Sequence, residues 1–137
     1  MTLLARELMQ PNPVTVSSQT PLLELQHLLV VAHISGIPVV GADGQVTGVV
    51  SATDVLSAIE QALDEDHDPG ESDDLLGELR AITAGDIATP EVVWVSPDTP
   101  IAEVARTMRA EGIRRVLVGN GRLEGILTAY DLLRAVG

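Results

Sequence analysis

The sequence predicts an α+β fold in which two β-α-β-β-α repeats pack about a pseudo-two-fold axis. Three observations point to it. The stretch Gly48-Val49-Val50-Ser51-Ala52-Thr53-Asp54 returns 77 positions later as Gly125-Ile126-Leu127-Thr128-Ala129-Tyr130-Asp131. The helix-start signal Thr20-Pro21 with Glu24 returns 79 positions later as Thr99-Pro100 with Glu103. An apolar hairpin turning at Gly41-Ala42-Asp43-Gly44 returns around Gly119-Asn120-Gly121, with the second turn two residues shorter. Self-similarity at a fixed period marks a repeat architecture, and one half of so short a chain could scarcely bury its own sheet.

The elements follow in order. Residues 3–9 read as a helical turn stopped by Gln10-Pro11-Asn12-Pro13, because proline on both sides of Asn12 enforces extended or turning backbone. Val14-Thr15-Val16 alternates as a strand does. Thr20 is the expected cap and Pro21 the first helical residue, leading a helix whose apolar face is Leu22, Leu25, Leu28, Leu29 and Ala32. Ile37-Pro38-Val39-Val40 and Gln45–Val50 are the hairpin strands. Ser51 and Asp54 open a helix expected to carry Val55, Leu56, Ile59 and Leu63 on its apolar face. The second cycle begins at Ala84–Pro90 and continues through the strand Val92–Val95. Its helix carries Ile101, Val104, Ala105 and Met108, and its hairpin runs from Ile113 to Leu127. A last helix with Leu132, Leu133 and Val136 closes the chain. The division is a first repeat at 1–63, an acidic linker at 64–80 and a second repeat at 81–137.

Composition removes several function classes. The net charge of −12 opposes binding to nucleic acid or to an anionic membrane surface, which take clustered Lys and Arg. Without cysteine there is no disulfide framework, thiol nucleophile or thiolate metal site, which fits a reducing cytoplasm. Charge at Arg6 and Glu7 stands where a signal peptide needs its apolar segment. No apolar run approaches the roughly 20 residues a membrane-spanning helix needs. A soluble cytoplasmic protein is expected.

Asp64–Asp74 is strongly acidic and holds Pro69 and Gly70, so a solvated linker is expected there. Asp64, Asp66 and Asp68 alternate as in a calcium loop, but Pro69 stands at the sixth position and Leu75 at the twelfth, where Gly and a bidentate Glu are required. His27 and His33 lack the i, i+4 spacing of a helical metal pair, and His67 lies in the linker, so no metal is expected. No nucleophile elbow, phosphate loop or dinucleotide fingerprint is present, so an enzyme is not expected.

Each Ser/Thr-x-x-Asp ending has a plain reading as a helix cap. Two copies in register, each behind a hairpin, carry more. With Leu8-Met9 before the proline-rich turn, Ser17 to Glu24, the Ile-Pro-Val core of Ile34 to Val40, and Asp43-Gly44, they resemble a tandem pair of cystathionine β-synthase (CBS) domains, a Bateman module. Leu117 and Ala88 depart from that pattern where the first repeat keeps Pro38 and Met9. The resemblance implies an adenosine-containing regulatory ligand, AMP, ADP, ATP or S-adenosylmethionine, held between repeats, and no cofactor. Carried over, Ser51 with Asp54 and Thr128 with Asp131 take ribose and phosphate, since a carboxylate accepts two neighbouring hydroxyls. The adenine would lie near Val14, Val16, Ile37, Pro38, Val93 and Ile113.

Arg114 and Arg115 stand where the first repeat has Ser35 and Gly36. They are either solvated charges offsetting an acidic surface or the cations of a nucleotide site. The expected function is ligand sensing relayed to a separate effector protein, with a homodimer as the assembly. The alternative is a structural, dimerising module whose endings only cap helices.

Overall fold

The computed structural model of the chain describes residues 2–32, 34, 36–64, 72–90 and 92–136. Among them the order is α1 (Ala5–Leu8), β1 (Gln10–Pro11), β2 (Val16–Ser17), α2 (Leu22–Val31), β3 (Gly36–Val40), β4 (Val46–Ser51) and α3 (Ala52–Asp64). There follow α4 (Ser72–Ala81), α5 (Ala84–Ile87), β5 (Trp94–Val95), α6 (Ile101–Glu111), β6 (Arg115–Val118), β7 (Gly125–Thr128) and α7 (Ala129–Val136). The class is α+β, as expected, with two separate sheets. The elements gather into two compact units: Val14–Glu91, and Met1–Pro13 together with Val92–Gly137. Each unit thus takes the lead segment that precedes the other repeat in sequence.

In the unit Val14–Glu91 the sheet order is β2-β3-β4. β2 runs parallel to β3, pairing Val16 with Val39, and parallel neighbours need a crossover, which α2 supplies. β3 and β4 form the antiparallel hairpin, pairing Ile37 with Val50 and Gly36 with Ser51. β3 is buried from Gly36 to Val39, and its apolar residues meet Leu22 and Leu25 of α2 and Val55 and Ala58 of α3. Leu79, Ile82, Ile87 and Ala88 pack against the same core, so the segment after α4 is built into this unit. Thr89 and Val49 exchange backbone hydrogen bonds at 2.9 and 3.0 Å.

The other unit repeats this plan. Its sheet order is β1-β7-β6-β5, and Gln10 pairs with Ile126 as Thr89 pairs with Val49. Ala5, Val95, Val104, Met108, Val116, Val118 and Leu127 make its core. Each hairpin turn places a glycine at left-handed φ, Gly44 at 80° and Gly121 at 84°, where residues with a Cβ are strained. The glycine that opens each Ser/Thr-x-x-Asp stretch has a separate cause. A Cβ on Gly48 would stand 2.7 Å from the Thr89 carbonyl oxygen, and one on Gly125 would stand 2.5 Å from Met9 Sδ and 2.9 Å from the Gln10 oxygen. These glycines admit the lead segment beside the strand.

Three expectations are corrected. The helix caps fall one residue later: Pro21 and Pro100 are the N-caps, and the helices begin at Leu22 and Ile101. Their first amides donate to the backbone oxygens of Ile82 and Leu3, each at 2.9 Å, so Thr20 has no capping role and accepts from the Ser17 N–H instead. The face α3 turns inward is Val55, Ala58, Ile59 and Ala62, while Leu56 and Leu63 are exposed, because small alanines fit where elements pack closely. Finally, the acidic stretch is not linker throughout. Residues 72–81 are helical, and Leu79 reaches the core, since Leu75, Leu76 and Leu79 stand at helical spacing in the sequence. Residues 65–71, with His67 and most of the calcium-loop comparison, lie outside the described residues, as do His33 and Ser35.

Candidate functional site

Strand β4 ends at Ser51 and α3 starts one residue later, which turns the Ser51 hydroxyl and the Asp54 carboxylate toward each other. The Ser51 N–H donates to Asp54 Oδ2 at 2.7 Å, the Ser51 hydroxyl donates to the same oxygen at 2.9 Å, and the Asp54 N–H donates back to Ser51 Oγ at 3.2 Å. This is a reciprocal capping box with aspartate in the acid position. At the end of β7 the pattern recurs. Thr128 N–H and Oγ1 donate to Asp131 Oδ2 at 2.8 and 3.0 Å, and the Asp131 N–H donates to Thr128 Oγ1 at 3.3 Å.

The other carboxylate oxygen separates the two. Asp54 Oδ1 accepts from the Thr89 hydroxyl at 3.3 Å. Asp131 Oδ1 accepts from Gln10 Nε2 at 3.1 Å and is ion-paired to Arg134. A carboxylate offers about four acceptor positions. Asp131 therefore has all of its positions filled and is 3% exposed, whereas Asp54 is half-buried and, among the described residues, has one position open. Thr89 and Gln10 arrive on matching lead segments. Neither they nor Arg134 stood out in the sequence, although Thr89 and Gln10 keep the 79-residue offset and Arg134 is one turn beyond Asp131.

A third copy of the local pattern serves as an internal control. Thr83 N–H and Oγ1 donate to Asp86 Oδ2 at 2.9 and 3.1 Å at the start of α5. It sits on a four-residue helix, and its carboxylate receives no side chain from a lead segment. Capping geometry alone does not distinguish a ligand carboxylate. What sets Asp54 and Asp131 apart is their position at a strand end beside a crossing segment.

Arg115 lies opposite Thr128 in the β6–β7 ladder, as Gly36 lies opposite Ser51 in β3–β4. Facing residues in antiparallel strands have Cβ atoms about 5 Å apart, so a guanidinium-bearing chain stands beside the Thr128 hydroxyl where the other unit has no side chain. Arg115 is half-buried with its Nε buried, and Arg114 is exposed. The charges are divided just as unevenly. The unit holding Asp131 has seven arginines against six acids, and the unit holding Asp54 has one arginine against fourteen.

The six residues assigned to adenine differ in exposure within their own units. Val16, Ile37 and Pro38 are buried in the core, so β3 has its backbone, not those side chains, to offer a ligand. Val14 is exposed, and Val93 and Ile113 are half-buried against the core of the other unit. No three His, Asp or Glu side chains converge to hold a metal among the described residues. No described helix is long and apolar enough to cross a membrane.

The family profile described as CBS domain matches residues 5–61 and 84–137. An uncharacterized protein of Methanocaldococcus jannaschii is 27% identical over 133 residues, which is 96% of this chain and 42% of that protein. A CBS domain-containing protein of Dictyostelium discoideum is 30% identical over 135 residues, 97% of this chain and 90% of that protein. The chain thus spans under half of the first relative and nearly all of the second. Among solved structures, a CBS domain pair in complex with 5-methylthioadenosine and S-adenosyl-L-methionine superposes with a TM-score of 0.81 at 24% identity, covering 100% of this chain and 98% of that one. That is a likeness of fold. CBSX2 in complex with AMP gives a TM-score of 0.76 at 27% identity, covering 97% and 95%.

Proposed function

The chain belongs to the CBS-domain family, and from that premise we propose that it is a regulatory module that senses an adenosine-containing ligand and relays its binding to a partner. The observation that carries this reading is the pair of strand-end carboxylates, Asp54 and Asp131, each held by a hydroxyl at the start of a helix and each touched by a crossing segment. A ribose diol offers two donors to such a carboxylate, and the relative complexed with AMP supports the ligand class. A ligand that exchanges for Gln10 or Thr89 changes what holds a lead segment in place. It biases the module by its differential affinity for the two arrangements. The role is regulation, in the cytoplasm, with no catalytic step. The effector is a separate protein or a second copy of this chain.

Thermal denaturation with AMP, ATP and S-adenosylmethionine tests the reading. A ligand at 100 times its Kd stabilises the folded state by about 2.7 kcal/mol, a shift of several degrees. Absence of any shift with all three removes the sensing role and leaves the structural alternative.

That alternative has one specific observation in its favour. Helix α7 exposes Tyr130, Leu133 and Val136 at three-residue spacing, an apolar stripe consistent with a homodimer. Leu133→Glu is expected to shift sedimentation from dimer to monomer while the melting temperature of the monomer is kept. A wild-type chain that sediments as a monomer excludes the dimer.

A further inference from the structure

Among the described residues, the ion pair between Arg134 and Asp131 is not repeated at Asp54. The position matching Arg134 is Ser57, the position matching Arg115 is Gly36, and the donors to Asp54 among the described residues, Ser51 and Thr89, are neutral. Asp131 can accept ribose hydroxyls only after giving up donors it already holds, since about four donors fill its acceptor positions. For a neutral nucleoside the exchange is poor. A hydroxyl replaces a charge-assisted bond roughly twice as strong, and the guanidinium loses its partner. For a nucleotide the exchange balances, because the phosphate offers the freed guanidinium a new anionic partner while the hydroxyls take Oδ1. Arg134 is 66% exposed along its side chain, and Arg115 lies opposite Thr128 in the same unit. Summed over whole units, the formal charge is +1 for the unit holding Asp131, from seven arginines and six acids, and −13 for the unit holding Asp54, from one arginine and fourteen acids.

We propose that Arg134 determines ligand charge: Asp131 serves nucleotides bearing phosphate, and Asp54 serves adenosyl ligands without negative charge. This rests on the ligand-sensing reading above.

The test is calorimetric titration of the full chain with AMP and with adenosine, in the wild type, Arg134→Met and Ser57→Arg, with Asp54→Asn used to isolate Asp131. Methionine keeps the aliphatic stem and removes the charge. At Asp131 the preference for AMP over adenosine is expected to fall about tenfold in Arg134→Met, the equivalent of about 1.4 kcal/mol, through weaker AMP binding, stronger adenosine binding or both. Ser57→Arg is expected to raise the AMP preference of the Asp54 site, and this arm holds if Asp54→Asn does not fold. An unchanged ratio in Arg134→Met, or adenosine preferred at Asp131 in the wild type, overturns the assignment while ligand sensing stands. A wild type that binds neither AMP nor adenosine, nor S-adenosylmethionine, overturns both.

Discussion

Gly119→Ala is expected to lower the melting temperature by about 10 °C. The added Cβ would stand 1.9 Å from the Arg122 carbonyl oxygen, 2.9 Å from its carbonyl carbon and 3.2 Å from Trp94 Cζ3. The first two belong to backbone, which cannot rotate away as a side chain can. The Gly119 N–H also donates to the Val95 oxygen at 3.0 Å, which ties this turn to the edge strand β5. Overpacking of this kind reaches about 3 kcal/mol, and a domain of this size converts that to roughly ten degrees. Gly77→Ala is the matched control: nothing lies within 4 Å of its added Cβ, and it sits inside α4, so alanine is expected to raise stability by about 0.5–1 kcal/mol. Circular dichroism melts of the two variants decide the matter. A Gly119→Ala melt within two degrees or so of wild type would show that the turn yields.

The second large effect joins stability and binding. Asp131→Ala removes an acceptor that is 3% exposed and holds Thr128, Gln10 and Arg134. The lost capping box and the donors left without Asp131 are expected to cost about 2 kcal/mol, discounted because Thr128 is half-buried and Gln10 and Arg134 are exposed. Nucleotide binding at that site is expected to fall at least tenfold. Asp54→Ala should be milder in stability, at about 1 kcal/mol, because Asp54 is half-buried and has no ion pair. Thr83→Ala provides the control for capping: a loss of about 1 kcal/mol with ligand affinity unchanged. If Thr83→Ala and Asp131→Ala lowered binding alike, the effect would be one of stability, and Asp131 would lose its place as a ligand group.

Much of the molecule was legible in the residues. Strands and helices follow from local periodicity, and their doubling follows from two in-register copies, so the α+β class and the hairpins needed no knowledge of distant contacts. The same holds for Ser51 with Asp54 and Thr128 with Asp131, which meet because three residues at a helix start bring a hydroxyl and an acid together. Helix α4 is obscured for a compositional reason: acids dominate the stretch by number, while Leu79 packs against the core. On α3 leucine outranks alanine in hydrophobicity, yet Ala58 and Ala62 are buried, because close packing between elements favours the smaller side chain.

What the chain determined by itself is therefore what spacing of a few residues can encode: the repeats, the strand-to-helix turns, the capped carboxylates and the unequal arginines. Only the tertiary structure decided which lead segment joins which compact unit, and with it that Gln10 reaches Asp131 across 121 positions while Thr89 reaches Asp54 across 35. The glycines at 48 and 125 leave room for that crossing, but room does not name its occupant. Each crossing adds one donor to its carboxylate, and a further one on Asp131 comes from Arg134, three residues along α7. The crossings were decided by the tertiary structure, because a hydrogen bond depends on distance in space and the sequence orders residues only along the chain.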